Sequence, residues 1–168
     1  MIEPGDSAPN FSLSPADEPY ASFMLSAAAG KGPVVLAFVP SEESLARPFL
    51  ESIAAVEWSS VIDTVAIVAI GPDTDSIREL AADGDLPFPI LSDGDGYVFE
   101  SYEIPTREVG EPRRSVVLTN PLSTVEFTWS ADDEDDEPPL DGLQSAVAAI
   151  SAREDADAPD DDQPPEPN

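Results

Sequence analysis

Two stretches of the chain are apolar at every position: VVLAFV at 34–39 and VAIVAI at 65–70. Each is short, rich in valine or isoleucine, and followed by proline or glycine. Such a run fits a strand covered on both faces, because successive side chains point to opposite sides and both sides must then be buried. SVVLT at 115–119 is a third strand. TVEFTW is different: Val125, Phe127 and Trp129 alternate with Glu126 and Thr128, the period of a strand with one buried and one wet face. NPLS supplies a turn between these last two, which read as an antiparallel hairpin.

Between the strands the apolar spacing changes to three and four. Leu45, Phe49, Ile53 and Val56 form a helical stripe, widened by Leu50 and Ala54. Ser41 is placed to cap this helix, and Glu42 and Glu43 suit the positive end of its dipole. Pro48 falls inside the pattern and removes one backbone donor. Ile77, Leu80 and Ala81 mark a second helix, capped by Asp73 or Asp75 and ending near Gly84. Leu143, Val147 and Ile150, with Ala146, mark a last one. Ahead of the first buried strand, Phe11 and Leu13 alternate with serines, and SFMLSAAAG reads as a short helix stopped at Gly30. In LPFPILSDGDGYVFESY, Pro87 and Pro89 argue against an ordinary central strand or helix. SDGDG is a turn there, and periodicity does not decide 97–102.

The order is strand, helix, strand, helix, hairpin, helix. Strand–helix–strand crossovers build parallel neighbours, and the hairpin adds an antiparallel edge. This predicts an α/β domain over 1–153 with a thioredoxin-like plan: a mixed four-stranded central sheet, helices on both faces and an N-terminal extension. EDADAPDDDQPPEPN at 154–168 has no large apolar residue and is expected to be a disordered, acidic, proline-rich tail. Ligands of such sheets favour the C-terminal ends of the parallel strands. That singles out 39–47.

Charge then narrows the partners. Asp and Glu total 35 against 7 Lys and Arg, a formal net charge of -28. This surface repels nucleic acids and anionic membranes. It also repels itself, unless salt screens it; at ~1 M salt the Debye length is about 3 Å. Acid is spread over the whole chain, including the tail, so the expectation is a protein adapted to a high-salt cytosol. No run approaches the roughly 18 apolar residues that a membrane span needs. MIEPGDSAPN lacks the basic and apolar regions of a signal peptide, so a cytoplasmic location is expected.

The chain has no cysteine and no histidine. Disulfides, thiolate metal sites and thiol redox chemistry are excluded, and so is the side chain best suited to proton transfer near neutral pH. With so many carboxylates, paired acids arise by chance and carry little information. DGDG at 93–96 lacks the spacing of a calcium loop and reads as a turn. Trp58, Trp129, Phe38 and Phe127 read as packing, and no glycine fingerprint for a nucleotide is present. No cofactor or metal is implied.

From position 2 to 150 the sequence resembles the peroxiredoxins of the alkyl hydroperoxide reductase C and thiol-specific antioxidant family, especially bacterioferritin-comigratory-type members. GDSAPNFSL matches the opening G-x-x-A-P-x-F-x-L at Gly5, Ala8, Pro9, Phe11 and Leu13. KGPVVLAFVP matches the strand before the active site, and GPD the stretch after the second strand. LPFPILSDGDGYVFESY resembles L-x-F-P-L-L-S-D with its glycine turn and short helix ending in tyrosine. RSVVLTN resembles the arginine-led strand R-x-x-F-V-I-D. The family's active site is a proline, three residues, a threonine or serine, two residues and the peroxidatic cysteine. Pro40 and Ser44 fall on the first two positions and Arg114 on the arginine that holds thiolate and peroxide. Arg47 falls where the cysteine should be.

That substitution removes the chemistry. A peroxiredoxin thiolate attacks peroxide and becomes a sulfenic acid; arginine is no nucleophile, and serine has no comparable oxidation ladder. The resemblance therefore implies a pseudoenzyme, a non-catalytic interaction or regulatory module. It implies a homodimer or pairing with an active peroxiredoxin relative. At the degenerate pocket of Pro40, Ser44, Arg47 and Arg114, several readings stay open. Glu42, Glu43 or another acid pairs with Arg47 and fills the position. Alternatively, Arg47 and Arg114 together hold a small anion or carboxylate, or Arg47 projects into a protein contact. Non-thiol chemistry using both arginines and a raised-pKa acid is a further alternative. Arg113 and Arg114, side by side, read as local ion pairs rather than a basic patch.

Overall fold

A computed structural model of the protein describes residues 1–17, 21–56, 65–83, 86–106, 112–133 and 136–157. The expectations for Trp58, Gly84 and 158–168 concern residues outside these. The strand runs form as expected. Strands β3 (Val34–Phe38) and β4 (Ala66–Pro72) pair in parallel, with Val34 opposite Ala66 and Phe38 opposite Ile70. Strand β6 (Ser115–Thr119) pairs antiparallel with β3 and with β7 (Val125–Ser130). The sheet has five strands rather than four, in the order β5-β4-β3-β6-β7. The addition is β5 (Ile90–Asp93), parallel to β4. Pro87 and Pro89 precede it, so neither removes a donor from its paired residues. Pro89 contributes its carbonyl, which accepts the Ala69 N–H at 3.0 Å.

Successive residues of β3 are all buried, on alternate faces, and this divides the core. Val35, Ala37 and Val39 pack on one face against α2 (Glu43–Ala54), α3 (Asp75–Ala82) and α5 (Leu140–Asp157). Phe49, Leu50 and Ile53 of α2, Ile77 and Leu80 of α3, and Leu143, Val147 and Ile150 of α5 bury there. Val34, Leu36 and Phe38 face the opposite layer. Its members include Phe11 and Leu13 of the N-terminal extension, Leu25 and Ala29 of α1 (Leu25–Ala29), Val98 of α4 (Tyr97–Ser101), Tyr102 and Ile104. The extension contributes a small antiparallel ladder, β1 (Ser12–Leu13) with β2 (Phe23–Met24). Just beyond β1 it covers the outer edge of β5: Ala16 N–H donates to Ile90 and Ser92 N–H to Ser14. An edge strand that would otherwise expose unpaired backbone is thereby protected.

Four local expectations change. Helix α2 begins one residue later than a Ser41 cap requires. Glu42 is its N-cap, in extended conformation and with no side-chain cap bond, and its carbonyl accepts from both Leu45 and Ala46. Helix α3 is capped by neither Asp73 nor Asp75 but by Thr74, whose Oγ1 accepts from Ile77 N–H. The two aspartates are engaged by Arg78 instead. On β7, Phe127 and Trp129 are half-buried against the α2 face, whereas Val125 is buried in the opposite layer. The register shifts between Leu118, opposite Phe127, and Thr119, opposite Val125. The extra residue of this bulge turns Val125 to the other side. Finally, α5 extends to Asp157, beyond Arg153.

Candidate functional site

The C-terminal end of β3 leads directly into the candidate site. Val39 N–H donates to the Ile70 carbonyl at 2.9 Å, extending the ladder by one residue. Pro40 is buried and turns the chain out of the sheet. Three residues later α2 starts, with Ser44 exposed on its first turn and Arg47 on the next. Pro48 lies inside the helix and cannot donate to the Ser44 carbonyl. The helix nevertheless continues to Ala54, anchored by its buried stripe.

Arg47 is held by carboxylates. Its Nε donates to Glu43 Oε1 at 2.9 Å, and its Nη2 lies 2.7 Å from the same oxygen. Nη2 also pairs with Asp83, the residue that closes the C-terminus of α3. The hydrogen bonds that Arg47 donates, to Glu43 first and then to Asp83, raise the arginine's pKa and keep it charged. The Glu43 contact spans one helical turn and follows from spacing. The Asp83 contact joins residues 36 positions apart, and no local signal in the sequence marks it.

Arg114 sits elsewhere in the same region. It is 8% exposed, its Nη2 donates to the Asp133 carbonyl at 2.9 Å, and its guanidinium carbon lies 5.9 Å from the Phe49 ring centroid. The neighbouring Arg113 donates to the Ala131 carbonyl at 3.3 Å and lies 3.5 Å from Asp132. The local ion pair expected for Arg113 is present, whereas among the described residues Arg114 meets a carbonyl and a ring. Arg113 Nε is buried without a hydrogen-bond partner.

Pro40 and Arg114 line one cavity of about 50 Å³, together with Leu45, Arg113, Asp132 and Asp133. Ser44 and Arg47 are not among its lining residues. The structure thus brings together two of the four expected pocket residues and adds Arg113. The position expected to carry the nucleophile faces α3 and is occupied by an ion-pair bracket. The cavity sets two guanidiniums beside apolar walls and two aspartates. The DGDG segment is a turn, with Gly96 at φ 73° and its N–H donating to the Asp93 carbonyl. Sequence reasoning missed that Asp93 is buried and caps α4, accepting from Val98 and Phe99 N–H at 3.0 Å each. An aspartate at the end of an apolar run, followed by a glycine turn and a helix, is the available signal.

Comparison with known proteins places these features. The model described as "AhpC/TSA family" matches residues 4–128. No curated protein matches the chain. Among solved structures, the peroxidoxin BcpB from Mycobacterium tuberculosis is 21% identical with a TM-score of 0.68, covering 90% of this chain and 98% of that one. Mycobacterium tuberculosis AhpC is 19% identical with a TM-score of 0.70, over 92% and 96% of the two chains. The reduced 2-Cys peroxiredoxin of Plasmodium vivax gives a TM-score of 0.75 at 16% identity, over 92% and 85%. These TM-scores show a shared fold.

Proposed function

This chain belongs to the AhpC/TSA family and contains no cysteine, and from that premise we propose that it works as a non-catalytic interaction or regulatory module. Thiol-based peroxidase chemistry is absent, because no side chain can form a sulfenic acid. The observation that carries the reading is the state of Arg47. A guanidinium bracketed by Glu43 and Asp83 links α2 to α3, and such a group supports shape rather than bond-making. A domain that keeps its fold while filling the reactive position suits a role through its surface. The partner we propose is an active peroxiredoxin relative or a second copy of this chain, in a salt-rich cytosol where the negative surface is screened.

The test has two arms in multimolar KCl. Purified protein given peroxide and a thiol reductant is expected to consume no peroxide. The full chain, used as bait, is expected to retain a peroxiredoxin relative in fixed stoichiometry or to sediment as a dimer. Thiol-dependent peroxide turnover sinks the catalytic half of the proposal. A monomer with no retained partner sinks the interaction half.

A second reading is favoured by the cavity at Pro40. Arg114 is buried there, and Arg113 has an unpartnered buried Nε, so a small anion or carboxylate is a fitting ligand. Arg47 plays no part in this version. Acetate or nitrate titration followed by amide chemical shifts tests it: saturable shifts at 113–114, lost in Arg114→Gln, support the reading. Shifts that grow linearly with concentration count against it.

A further inference from the structure

On a chain that carries 35 acidic residues, the longest stretch without one is 19–41, and it holds Lys31, the sole lysine. Part of this stretch walls an open groove of about 590 Å³, beside α1 and the N-terminal ends of β3 and β4. Phe23, Met24, Ala28, Lys31, Pro33 and Ala66 line it, and no acid is among its described lining residues. Met24 is 47% exposed there, although large and apolar. Lys31 is exposed and makes no ion pair among the described residues.

Charge selects among occupants. A second copy packed face to face would set one acid-free wall against another and leave both lysines unanswered. An occupant that answers Lys31 carries carboxylates, and one that covers the wall carries apolar surface. Residues 158–168, APDDDQPPEPN, combine the two: Asp160, Asp161, Asp162 and Glu166 accompany Pro159, Pro164, Pro165 and Pro167. Such a segment cannot build a core of its own. Proline-rich chain nevertheless docks on aromatic and apolar grooves, because its backbone is preset and little entropy is lost.

Topology brings the two within reach. Strand β7 ends at Ser130, opposite Ser115 and next to Ala131 and Asp132 of the Pro40 cavity. Gly142, on the first turn of α5, lies against Phe127, three residues back along β7. Helix α5 therefore returns toward the end of the sheet that holds Val34 and Ala66, and its 18 residues give about 27 Å of travel. Crossing from the α5 layer to the α1 layer takes about 20 Å, a helix width on either side of the sheet. An extended chain of the length of 158–168 spans roughly 34 Å. Tethering sets an effective concentration on the order of millimolar, so a weak contact is filled ahead of a free partner. We propose that 158–168 docks in this groove of its own chain, with prolines on Phe23 and Met24 and carboxylates at Lys31. The inference is independent of the side chain at position 47.

The full chain suits a direct test. Its cysteine-free sequence admits a single nitroxide label, through Gln163→Cys, and it has only two methionines, so an isotope-labelled methyl group reports on Met24. Spectra are recorded at about 0.5 M KCl, where diffuse charge effects are largely screened. The oxidised label is expected to abolish the Met24 signal, and its reduction to restore it. Lys31→Gln in the labelled chain is expected to bring back most of the signal. Pro164→Ser, Pro165→Ser and Pro167→Ser together are expected to do the same. A Met24 signal untouched by the label overturns the proposal, as does a loss that Lys31→Gln leaves unchanged. Loss that appears when label and isotope sit on separate copies assigns the groove to a neighbour's tail and likewise overturns it.

Discussion

Arg47 on α2 is paired with Asp83 at the end of α3, so the residue that the family resemblance aligns with the peroxidatic cysteine ties two helices on one face of the sheet. Glu43, one turn earlier on α2, holds the same guanidinium. Two carboxylates around one position make the local electrostatics opposite to those that activate a thiol. Thiolates are favoured by nearby positive charge and by a helix N-terminus. Here the helix end is retained, and the charge next to it is negative.

A cysteine introduced at this position therefore meets a repelling environment. Arg47→Cys is expected to react sluggishly with peroxide, because Glu43 and Asp83 disfavour its thiolate. Adding Glu43→Gln and Asp83→Asn is expected to raise the rate severalfold. Trapping of sulfenic acid with a dimedone reagent measures both variants. Equal rates in the single and triple variants refute the electrostatic account of this position.

Gly71 on β4 packs directly under α3. A Cβ at this position meets Ile77 Cδ1 at 2.9 Å, Cγ1 at 3.2 Å and Cγ2 at 3.3 Å. Gly71→Ala is expected to destabilise the fold by about 1–3 kcal/mol through overpacking. Ile77→Val in the same chain removes the nearest of these atoms and is expected to restore part of the loss. Denaturant unfolding of the two single variants and the double variant gives the coupling. Strictly additive losses contradict a direct clash.

Tyr102 fastens the N-terminal extension to the core. Its ring is fully buried in edge contact with Phe11, and its hydroxyl donates to the Pro9 carbonyl at 2.7 Å. Burial pushes the phenol pKa well above its ordinary value, so it remains a donor throughout the neutral range. Tyr102→Phe keeps the packing and leaves the Pro9 carbonyl without this donor, at an expected cost of about 1 kcal/mol. Amide exchange is expected to accelerate most at 11–13 and 23–25. Unchanged exchange there shows that the hydroxyl does not secure the extension.

Asp93 gives stability a pH dependence of known sign. Desolvation is the largest cause of its raised pKa, followed in opposition by the hydrogen bonds from Phe99 and Val98. A carboxyl whose folded pKa exceeds the unfolded value favours the folded state fully below the unfolded pKa. That contribution is lost as pH rises from the ordinary 3.8 through the raised folded value. Asp93→Asn has no such titration. Relative to the parent, its melting temperature is expected to improve as pH climbs out of the acid range to neutrality. A difference that stays flat across this window is incompatible with a desolvated carboxylate.

Much of this molecule follows from local pattern alone. The unbroken apolar runs at 34–39 and 65–70 specify strands buried on both sides, and successive β3 residues are buried in opposite layers accordingly. The three- and four-residue spacing of Leu143, Val147 and Ile150 specifies the inward face of α5. The absence of cysteine settles, without coordinates, that thiol chemistry is missing. Each of these depends on residue type and period, which sequence contains in full. The bulge that sends Val125 and Phe127 to opposite layers does not, because register belongs to a pair of strands. Nor do the fifth strand, which relies on the extension to cover its edge, and the Arg47–Asp83 bracket, which joins distant positions. The sequence lists the charges and apolar groups of the chain; only folding decides which of them meet, since long-range contacts arise from packing and leave no local periodicity behind.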